Sequence, residues 1–409
     1  MLKISVSPQP QPLLIILTYL KKRSKEKFFH CPYYKKLYLR IWFDVLTPKQ
    51  VMFFKPAVEQ LQKNGEEVLC TSRKYREAVE LAKIKQLDIK IIGSHGGADR
   101  YEKLRQSAKR AYELADAIKQ FEPDIAITFS SPEAARVAFG LGIRHIGFSD
   151  SPHAKAVSKL TVPLMNHLFC PWVIPYSAWD KCGISRNSII RYKGLDPVAW
   201  IRRNPLALSK PRSLSSSSYS LLSCCTDLNN QYCGREKTIL VRPEESQASY
   251  ITEKKIRSRI HMIDKLLDRF SNSTNIIILC RNEDQFNEIT KKYNGKAHVL
   301  RKVTDAFPLI VGADLFIGAG GTMTAEASLL GKPTISIAPI RFYVEKYLVS
   351  SGLVKRAADS REVAKLAEKM INDKKYIYSQ QIRAKRILDK MEDPVNKMLS
   401  FINNMPRSS

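Results

Sequence analysis

The sequence predicts an α/β protein of two Rossmann-like domains followed by a helical C-terminus. Short apolar segments alternate with helical segments between residues 38 and 202, and again between 237 and 375. This alternation is typical of parallel sheets covered by helices on both faces. A serine-rich stretch separates the two regions, and 409 residues are enough for two domains with a core each.

The first predicted domain, residues 38–202, alternates strands with helices. Strands are predicted at Leu39–Val45, Val68–Thr71, Ile89–Ile92, Asp124–Phe129 and His145–Ser149, and helices near Pro48–Asn64, Tyr75–Gln86, Arg100–Lys119 and Pro132–Gly140. Pro48 suits the first turn of a helix, and Gly65 suits its end. Because ligands bind beyond the carboxyl ends of parallel strands, the loops after these strands are the expected site.

The second predicted domain, residues 237–375, repeats the pattern. Strands are predicted at Thr238–Val241, Asn275–Cys280, Ala297–Leu300, Asp314–Gly318 and Thr334–Ile337, and helices near Glu283–Lys292 and Thr322–Leu330. The tail from Arg361 to Phe401 is predicted as two helices. Its last part, residues 376–409, is expected to return toward the first domain. The active site is expected in the cleft between the two domains.

Two segments look foreign to this pattern. Residues 1–37 form a basic extension, since the first 40 residues hold nine Lys or Arg and one acidic residue. Residues 203–236 form a serine-rich insertion with too few apolar residues to offset the entropy of ordering, so we expect it to be disordered. The apolar run Leu13–Leu20 has only eight residues, whereas a membrane-spanning helix needs about 20.

The formal net charge is +28. A basic surface of this kind indicates binding to anionic lipid, to an anionic substrate or to nucleic acid, or it only keeps the protein in solution. No zinc-finger, ribonucleoprotein or basic-zipper pattern is present, so we expect no specific nucleic-acid partner. The eight cysteines form no C-x-x-C pair, which predicts neither a metal site nor disulfides. We expect a cytoplasmic protein that contacts the inner face of the membrane through residues 1–37.

The strongest local motif lies at 314–327, where a predicted strand runs through paired glycines directly into a helix. Glycines let the backbone approach a ligand, and free N–H groups at a helix start attract phosphate. Gly320, Gly321 and Thr322 are therefore candidate diphosphate ligands. The Glu326 carboxylate could accept two hydrogen bonds from a ribose diol. The alternative is a plain strand–turn–helix junction with Glu326 in solvent.

Segment 314–333 resembles the nucleotide-sugar motif of the GT-B superfamily. The bacterial transferase that adds N-acetylglucosamine to the peptidoglycan lipid precursor has a Gly followed by Glu six positions later, and Gly320 and Glu326 keep that spacing. The resemblance implies that Glu326 holds the uridine ribose and that the amides of Gly320–Thr322 face the diphosphate. It also implies a nucleotide-sugar substrate, a GT-B fold and no cofactor or metal.

The first half resembles the non-hydrolysing UDP-N-acetylglucosamine 2-epimerases, on Asp44–Lys49 and the helix that ends at Leu61–Val68. Residues 239–246 stand where those enzymes carry a His-Arg-x-Glu-Asn signature. Arg242 matches its arginine, but its histidine has no counterpart, which argues against epimerisation. From end to end, residues 38–200 and 238–400 resemble an archaeal family of domains of unknown function, number 354, on Leu46–Gln50, Arg136–Gly142 and Val241–Pro243.

Several further residues follow predicted strands and are candidates for the cleft. Asp150 and His153 are candidate catalytic groups, as a general base pair or as ligands of a sugar hydroxyl, or else they belong to an ordinary turn. His95 is placed similarly, beside two glycines. The candidate binding residues are Lys49, Ser130, Glu133 and Arg242. Helix capping explains Ser130 and Glu133 equally well, and a structural salt bridge explains Arg242.

Three functions remain open on the sequence. The first is a metal-independent glycosyltransferase that uses a nucleotide-sugar, such as a UDP-sugar, and an unknown acceptor that could be lipid-linked. The second is an epimerase or hydrolase of the same donor. The third is a non-enzymatic nucleotide-binding protein.

Overall fold

The computed structural model describes residues 38–97, 99–208, 237–244, 259–301 and 305–406. The predicted extension 1–37 therefore lies outside the described residues, as do residues 209–236 of the predicted insertion. The first part of that insertion is described, and it contains a short helix at Pro205–Leu208. All the predicted strands and helices lie within the described ranges.

The first half of the chain forms a seven-stranded parallel sheet. Its strands are β1 (Arg40–Asp44), β2 (Glu67–Lys74), β3 (Lys90–Ser94), β4 (Ile125–Thr128), β5 (Arg144–Phe148), β6 (His167–Pro171) and β7 (Ile189–Tyr192). They lie in the order β3-β2-β1-β4-β5-β6-β7. The strand order reverses between β1 and β4, and such a switch point opens a crevice at the carboxyl edge of a sheet. Five of these strands were predicted, whereas β6 and β7 were not.

Helices cover both faces of this sheet. They are α1 (Pro48–Lys63), α2 (Arg76–Ile84), α3 (Arg100–Phe121), α4 (Pro132–Gly140), α5 (Lys155–Thr161), α6 (Val198–Ile201) and α7 (Pro205–Leu208). As predicted, α1 begins at Pro48 and stops before Gly65, which adopts a left-handed φ of +84°. The Asp99 side chain caps α3 by accepting from the Glu102 N–H at 2.8 Å.

The second half forms a six-stranded parallel sheet. Its strands are β8 (Thr238–Arg242), β9 (Asn275–Leu279), β10 (His298–Leu300), β11 (Leu315–Gly318), β12 (Thr334–Ser336) and β13 (Lys355–Arg356). The order β10-β9-β8-β11-β12-β13 places a second switch point between β8 and β11. The predicted strands correspond to β8–β12, and β13 was not predicted.

The helices of the second half are α8 (Asp264–Phe270), α9 (Glu283–Lys292), α10 (Phe307–Gly312), α11 (Thr322–Leu329), α12 (Tyr343–Ser350), α13 (Ser360–Asn372), α14 (Lys374–Lys390) and α15 (Pro394–Asn403). The C-terminal tail therefore contains three helices, and the prediction of two was wrong. Asp359, Asp373 and Asp393 each cap the helix that follows, so aspartate caps divide the tail into three pieces.

The C-terminal helices return to the first half, as predicted. Helix α15 packs against α1, and its buried Val395, Met398 and Ile402 belong to the same apolar cluster as Phe53 and Phe148. The cluster also includes apolar side chains of α11 and α12, so one core joins the two sheets. None of the described helices has the length and apolar character needed to cross a membrane.

Candidate functional site

The loops at the carboxyl edges of the two sheets line one open cavity. From the first half it receives the loops after β1, β5 and β7, and from the second half those after β8, β9, β11 and β12. Its lining residues are Lys49, Asp150, Ser151, His153, Leu195, Asp196, Pro197, Glu244, Arg281, Ala319, Gly320, Gly321, Thr322, Thr324, Ala325, Pro339, Phe342, Val344, Glu345 and Leu348.

Two aspartates share one lysine on the first-half wall of this cavity. The Lys49 ammonium lies 2.6 Å from Asp150 Oδ2 and 2.6 Å from Asp196 Oδ2. The Ser151 hydroxyl donates to Asp150 Oδ1 at 2.7 Å, and the Tyr192 hydroxyl donates to Asp196 Oδ1. Each carboxylate is therefore held by the shared cation and by one hydroxyl of its own.

The two aspartates differ in proton affinity. Burial alone would raise the pKa of Asp150, but the Lys49 ammonium and the Ser151 hydroxyl outweigh burial and lower this pKa to about 2. Burial raises the pKa of Asp196 to about 6, against the opposing effect of Lys49 and with a contribution from Asp150. Asp150 is thus a permanent anion, whereas Asp196 can take up and release a proton near neutral pH.

The glycine turn forms the opposite wall. Gly320 and Gly321 adopt φ values of +90° and +79°, a region that favours glycine. Gly321 is the N-cap of α11 and has no side chain to satisfy the first N–H groups of the helix. An added Cβ at Gly321 would meet nothing within 4 Å, so the turn leaves open space in front of these groups. The arrangement can hold an anion.

Two buried carboxylates flank the turn. Glu244 follows β8 and Glu345 follows β12, and these strands pair with β11 on either side. Each carboxylate is 4% exposed. Oε1 of Glu244 accepts from the Arg259 N–H at 2.7 Å, and Oε1 of Glu345 accepts from Arg356 at 2.5 Å. Among the described residues, neither Oε2 atom has a hydrogen-bond partner, and both are buried.

The predicted catalytic residues are divided between two places. Asp150 and His153 line the cavity, where the His153 ring stacks on Phe342 of the second half at 3.9 Å between centroids. His95 does not line the cavity. Its Nδ1 accepts from the Gly97 N–H at 3.0 Å, and its ring packs against Tyr75.

The predicted binding residues are also divided. Lys49, Gly320, Gly321 and Thr322 line the cavity. Glu326 does not: its Oε1 accepts from the Trp200 indole N–H at 2.6 Å, and burial raises its pKa to about 8.

The other three predicted binding residues make structural contacts. Arg242 donates to the carbonyl oxygens of Leu279 and Cys280 at 3.0 and 2.9 Å. Ser130 has a left-handed φ of +53° and donates to the Phe148 carbonyl at 2.9 Å. The Glu133 carboxylate lies 3.4 Å from the buried Arg110 guanidinium. A binding role for these three residues, and for Glu326, stays a prediction.

Sequence reasoning missed Asp196, Glu244, Arg281 and Glu345, all of which line the cavity. Asp196 lies in the loop after β7, a strand that was not predicted, so the strand-end rule was never applied to it. The turn-forming Gly194 and the pair Asp196-Pro197 are the local signal that could have drawn attention to this loop.

The comparisons with known proteins agree with this architecture. A family model described as "Protein of unknown function (DUF354)" matches residues 39–406. The chain belongs to this family. An uncharacterized protein of Methanocaldococcus jannaschii is 30% identical over 367 residues, which cover 90% of the chain and 98% of that protein.

Among solved structures, the DUF354 chain is similar to a UDP-N-acetylglucosamine 2-epimerase of Methanocaldococcus jannaschii in complex with UDP-GlcNAc and UDP. The TM-score is 0.64 at 15% identity, over 90% of this chain and 100% of that one. It is also similar to the glycotransferase of kitacinnamycin, with a TM-score of 0.56 at 12% identity, over 90% and 100% of the two chains. These likenesses confirm the predicted fold class, two Rossmann-like halves in a GT-B arrangement.

Proposed function

We propose that this protein transfers a sugar from a nucleotide-sugar, most simply a UDP-sugar, to an acceptor. One observation carries the proposal: the Asp196 carboxylate of the first half and an open glycine turn at a helix start of the second half line one cavity. Glycosyl transfer needs these two functions together, a base for the acceptor and a binding site for the leaving diphosphate.

The donor side follows from the turn. The free N–H groups at the start of α11 would bind the diphosphate, and the Arg281 side chain lines the same cavity. The fold neighbours support a uridine nucleotide, since one of them was crystallised with UDP-GlcNAc and UDP. Such a reaction needs no metal ion, because the N–H groups of α11 and the Arg281 guanidinium would stabilise the charge that develops on the leaving oxygen.

The acceptor side follows from Asp196. Its pKa of about 6 makes it a stronger base than Asp150, whose pKa is about 2. In the proposed step, an acceptor hydroxyl gives its proton to Asp196 and its oxygen bonds to the anomeric carbon. The bond from that carbon to the phosphate oxygen breaks, and the electron pair leaves with the nucleoside diphosphate. Lys49 would keep Asp196 ionised and oriented.

Epimerisation of a UDP-sugar is the second candidate, and one observation favours it. Four carboxylates and His153 line the cavity, so acid and base groups are more numerous than the sequence alone suggested. The two reactions differ in chemistry. An epimerase that removes and returns a carbon-bound proton introduces solvent deuterium without any acceptor, whereas a transferase releases the nucleotide only as the acceptor is consumed.

The test incubates the full chain with UDP-N-acetylglucosamine or UDP-glucose in deuterated buffer, with and without a membrane lipid extract as acceptor. We expect UDP release that depends on the extract and no deuterium in the recovered donor. Asp196→Asn should reduce turnover by roughly 10²- to 10⁴-fold. Asp389→Asn, which changes an exposed carboxylate on α14, should not. Deuterium uptake without acceptor would instead establish epimerisation.

We further propose that the acceptor is lipid-linked and reached at an anionic membrane surface. The motive is the basic segment 1–37, in which each Lys or Arg near such a surface contributes about 1 kcal/mol. The full chain should sediment with vesicles that contain phosphatidylserine, and a chain that starts at residue 38 should not. Equal sedimentation of the two chains would contradict this proposal.

A further inference from the structure

The motif at 314–327 predicted Glu326 as the ribose ligand, but the structure gives Glu326 a different partner. Its carboxylate is 7% exposed, accepts from Trp200 and does not line the cavity. A hydroxyl of the ligand would have to displace the indole N–H to reach it. The cavity therefore needs another acceptor if it holds the sugar part of a nucleotide.

Glu345 has the properties that such an acceptor needs. It lines the cavity, and its Oε1 is already held by the Ser336 hydroxyl and the Arg356 guanidinium. These two donors fix the orientation of the carboxylate, and Oε2 stays buried with no hydrogen-bond partner in the part of the chain that the structure describes. A carboxylate oxygen can accept two hydrogen bonds, and a buried one without any is costly, so the free oxygen is matched to donors that a ligand brings.

Thr324 supplies a second unpartnered oxygen on the same wall. Among the described residues its Oγ1 is buried without a hydrogen-bond partner, and Thr324 lines the same cavity. The hydroxyl lies against Gly318, where an added Cβ would come within 2.4 Å of Oγ1. Gly318 is the register partner of Ser336, the residue that holds Glu345. The residues that these two side chains contact, Gly318 and Ser336, thus end the adjacent strands β11 and β12 next to the glycine turn.

The chemistry of these atoms selects the ligand group. A carboxylate repels phosphate but accepts from hydroxyl groups, and a threonine hydroxyl can donate or accept. Within the described residues, no set of three or more His, Cys, Asp or Glu side chains is placed to hold a metal ion. We propose that Glu345 Oε2 and Thr324 Oγ1 bind a vicinal diol of the nucleotide-sugar.

This inference rests on the proposed function and assigns the hydroxyl-binding role within it to Glu345. The diol has two sources, the ribose of the nucleotide and the hexose of the donor. Calorimetry on the full chain with three probes separates them: UDP, 2′,3′-dideoxy-UDP and UDP-N-acetylglucosamine.

If the diol is the ribose, Glu345→Gln weakens UDP binding by about 10- to 100-fold, as expected for a charged hydrogen bond, and leaves the affinity for dideoxy-UDP unchanged. If the diol belongs to the hexose, the same variant spares UDP and weakens UDP-N-acetylglucosamine by that factor. Thr324→Val should show the same selectivity with a loss of about 3- to 10-fold, and it should not lower the melting temperature because Oγ1 has no hydrogen-bond partner among the described residues.

Glu368→Gln is the matched control, because it makes the same change at an exposed carboxylate of the second half that pairs with Arg269. It should bind all three probes as the parent does. The inference is overturned if Glu345→Gln binds all three probes as the parent does, or weakens dideoxy-UDP as much as UDP. A parent chain that binds none of the probes would instead overturn the proposed function, and the diol site with it.

Discussion

Asp150 and Asp196 share the Lys49 ammonium, and this sharing sets the expected pH dependence of turnover. The base form of Asp196 is lost as the pH falls through about 6, the value of its pKa in the folded protein. In a plot of log kcat/KM against pH, we therefore expect an acid limb, a fall below pH 6 with a slope of one. The same plot for the Asp196→Asn variant should lack this acid limb.

Removing the shared cation should move that limb. Lys49 lowers the pKa of Asp196, so Lys49→Met should raise it and shift the acid limb of kcat/KM to higher pH. Lys55→Met is a matched control, because Lys55 also lies on α1 but pairs with Glu59. An unchanged limb in folded Lys49→Met would show that another group sets the pH dependence.

The glycine turn allows a test that separates strain from binding. Gly321→Ala meets no atom within 4 Å, so its cost should come from the backbone, whose φ of +79° and ψ of −165° lie in a region open essentially to glycine alone, about 1–3 kcal/mol in unfolding free energy. Gly65→Ala has the same open space and a φ of +84°, but it lies at the end of α1. Both variants should lose stability in urea unfolding, Gly321→Ala at least as much as Gly65→Ala, and only Gly321→Ala should lose nucleotide affinity.

At the scale of elements, the sequence predicted most of the strands that alternate with helices and missed three. Between β6 and β7 the chain makes only short 3-10 turns, at Tyr176–Ala178 and Arg186–Ser188, so no helical period separates the two strands. Strand β6 follows the seven-residue helix α5, and strand β13 has only two residues. The alternation rule therefore recovered ten of the thirteen described strands, and it failed where the crossover helix is short or missing or the strand is very short.

The same limit explains which site residues were predictable. Gly320–Thr322 and Asp150 follow predicted strands, and both line the cavity. Asp196 follows an unpredicted strand. The role of Glu345 depends on Arg356 of β13, eleven residues later, and on Ser336 of β12. Motif spacing placed Glu326 at the site, but it could not anticipate Trp200, which comes from 126 residues earlier in the chain.

The Trp200–Glu326 contact joins α6 to α11, and it should make stability depend on pH. The pKa of Glu326 is raised by burial to about 8 in the folded protein, above its usual 4.5. Its contribution to stability is therefore present below about pH 4.5 and lost as the pH rises through 8.

Glu326→Gln carries no charge, so its unfolding free energy should not fall over this range. By pH 9 the unfolding free energy of Glu326→Gln should exceed that of the parent by about 2–4 kcal/mol. Urea unfolding at pH 5, 7 and 9 measures the difference, with the exposed Glu368→Gln as control. Parallel pH curves for the parent and Glu326→Gln would show that Glu326 is ionised in the folded state.

At the scale of the whole molecule, contacts outside the cavity also hold the two halves together. The apolar cluster around α1 takes side chains from both halves, and the Lys85 ammonium reaches Asp305 across the halves at 2.6 Å. The guanidinium of Arg202 donates to the carbonyl oxygens of Leu388 and Met391, each at 2.6 Å. The end of the chain thus holds the segment that connects the halves.

Truncation of α15 tests this dependence. Val395, Met398 and Ile402 are at most 2% exposed, and the burial of each such side chain contributes about 1.5–3 kcal/mol. A chain that ends at residue 392 loses all three and the Arg203–Asp393 ion pair, roughly 5–9 kcal/mol, which is comparable to the whole stability of a protein. We expect it to be insoluble or to lack a cooperative thermal transition, whereas a chain that ends at residue 405 should melt like the parent.

Met398→Ala is the milder variant, and it should lower the free energy of unfolding by about 2–5 kcal/mol. If the 392-residue chain melts at the parent temperature, the first half does not need α15, and the return of the C-terminus contributes nothing to its stability.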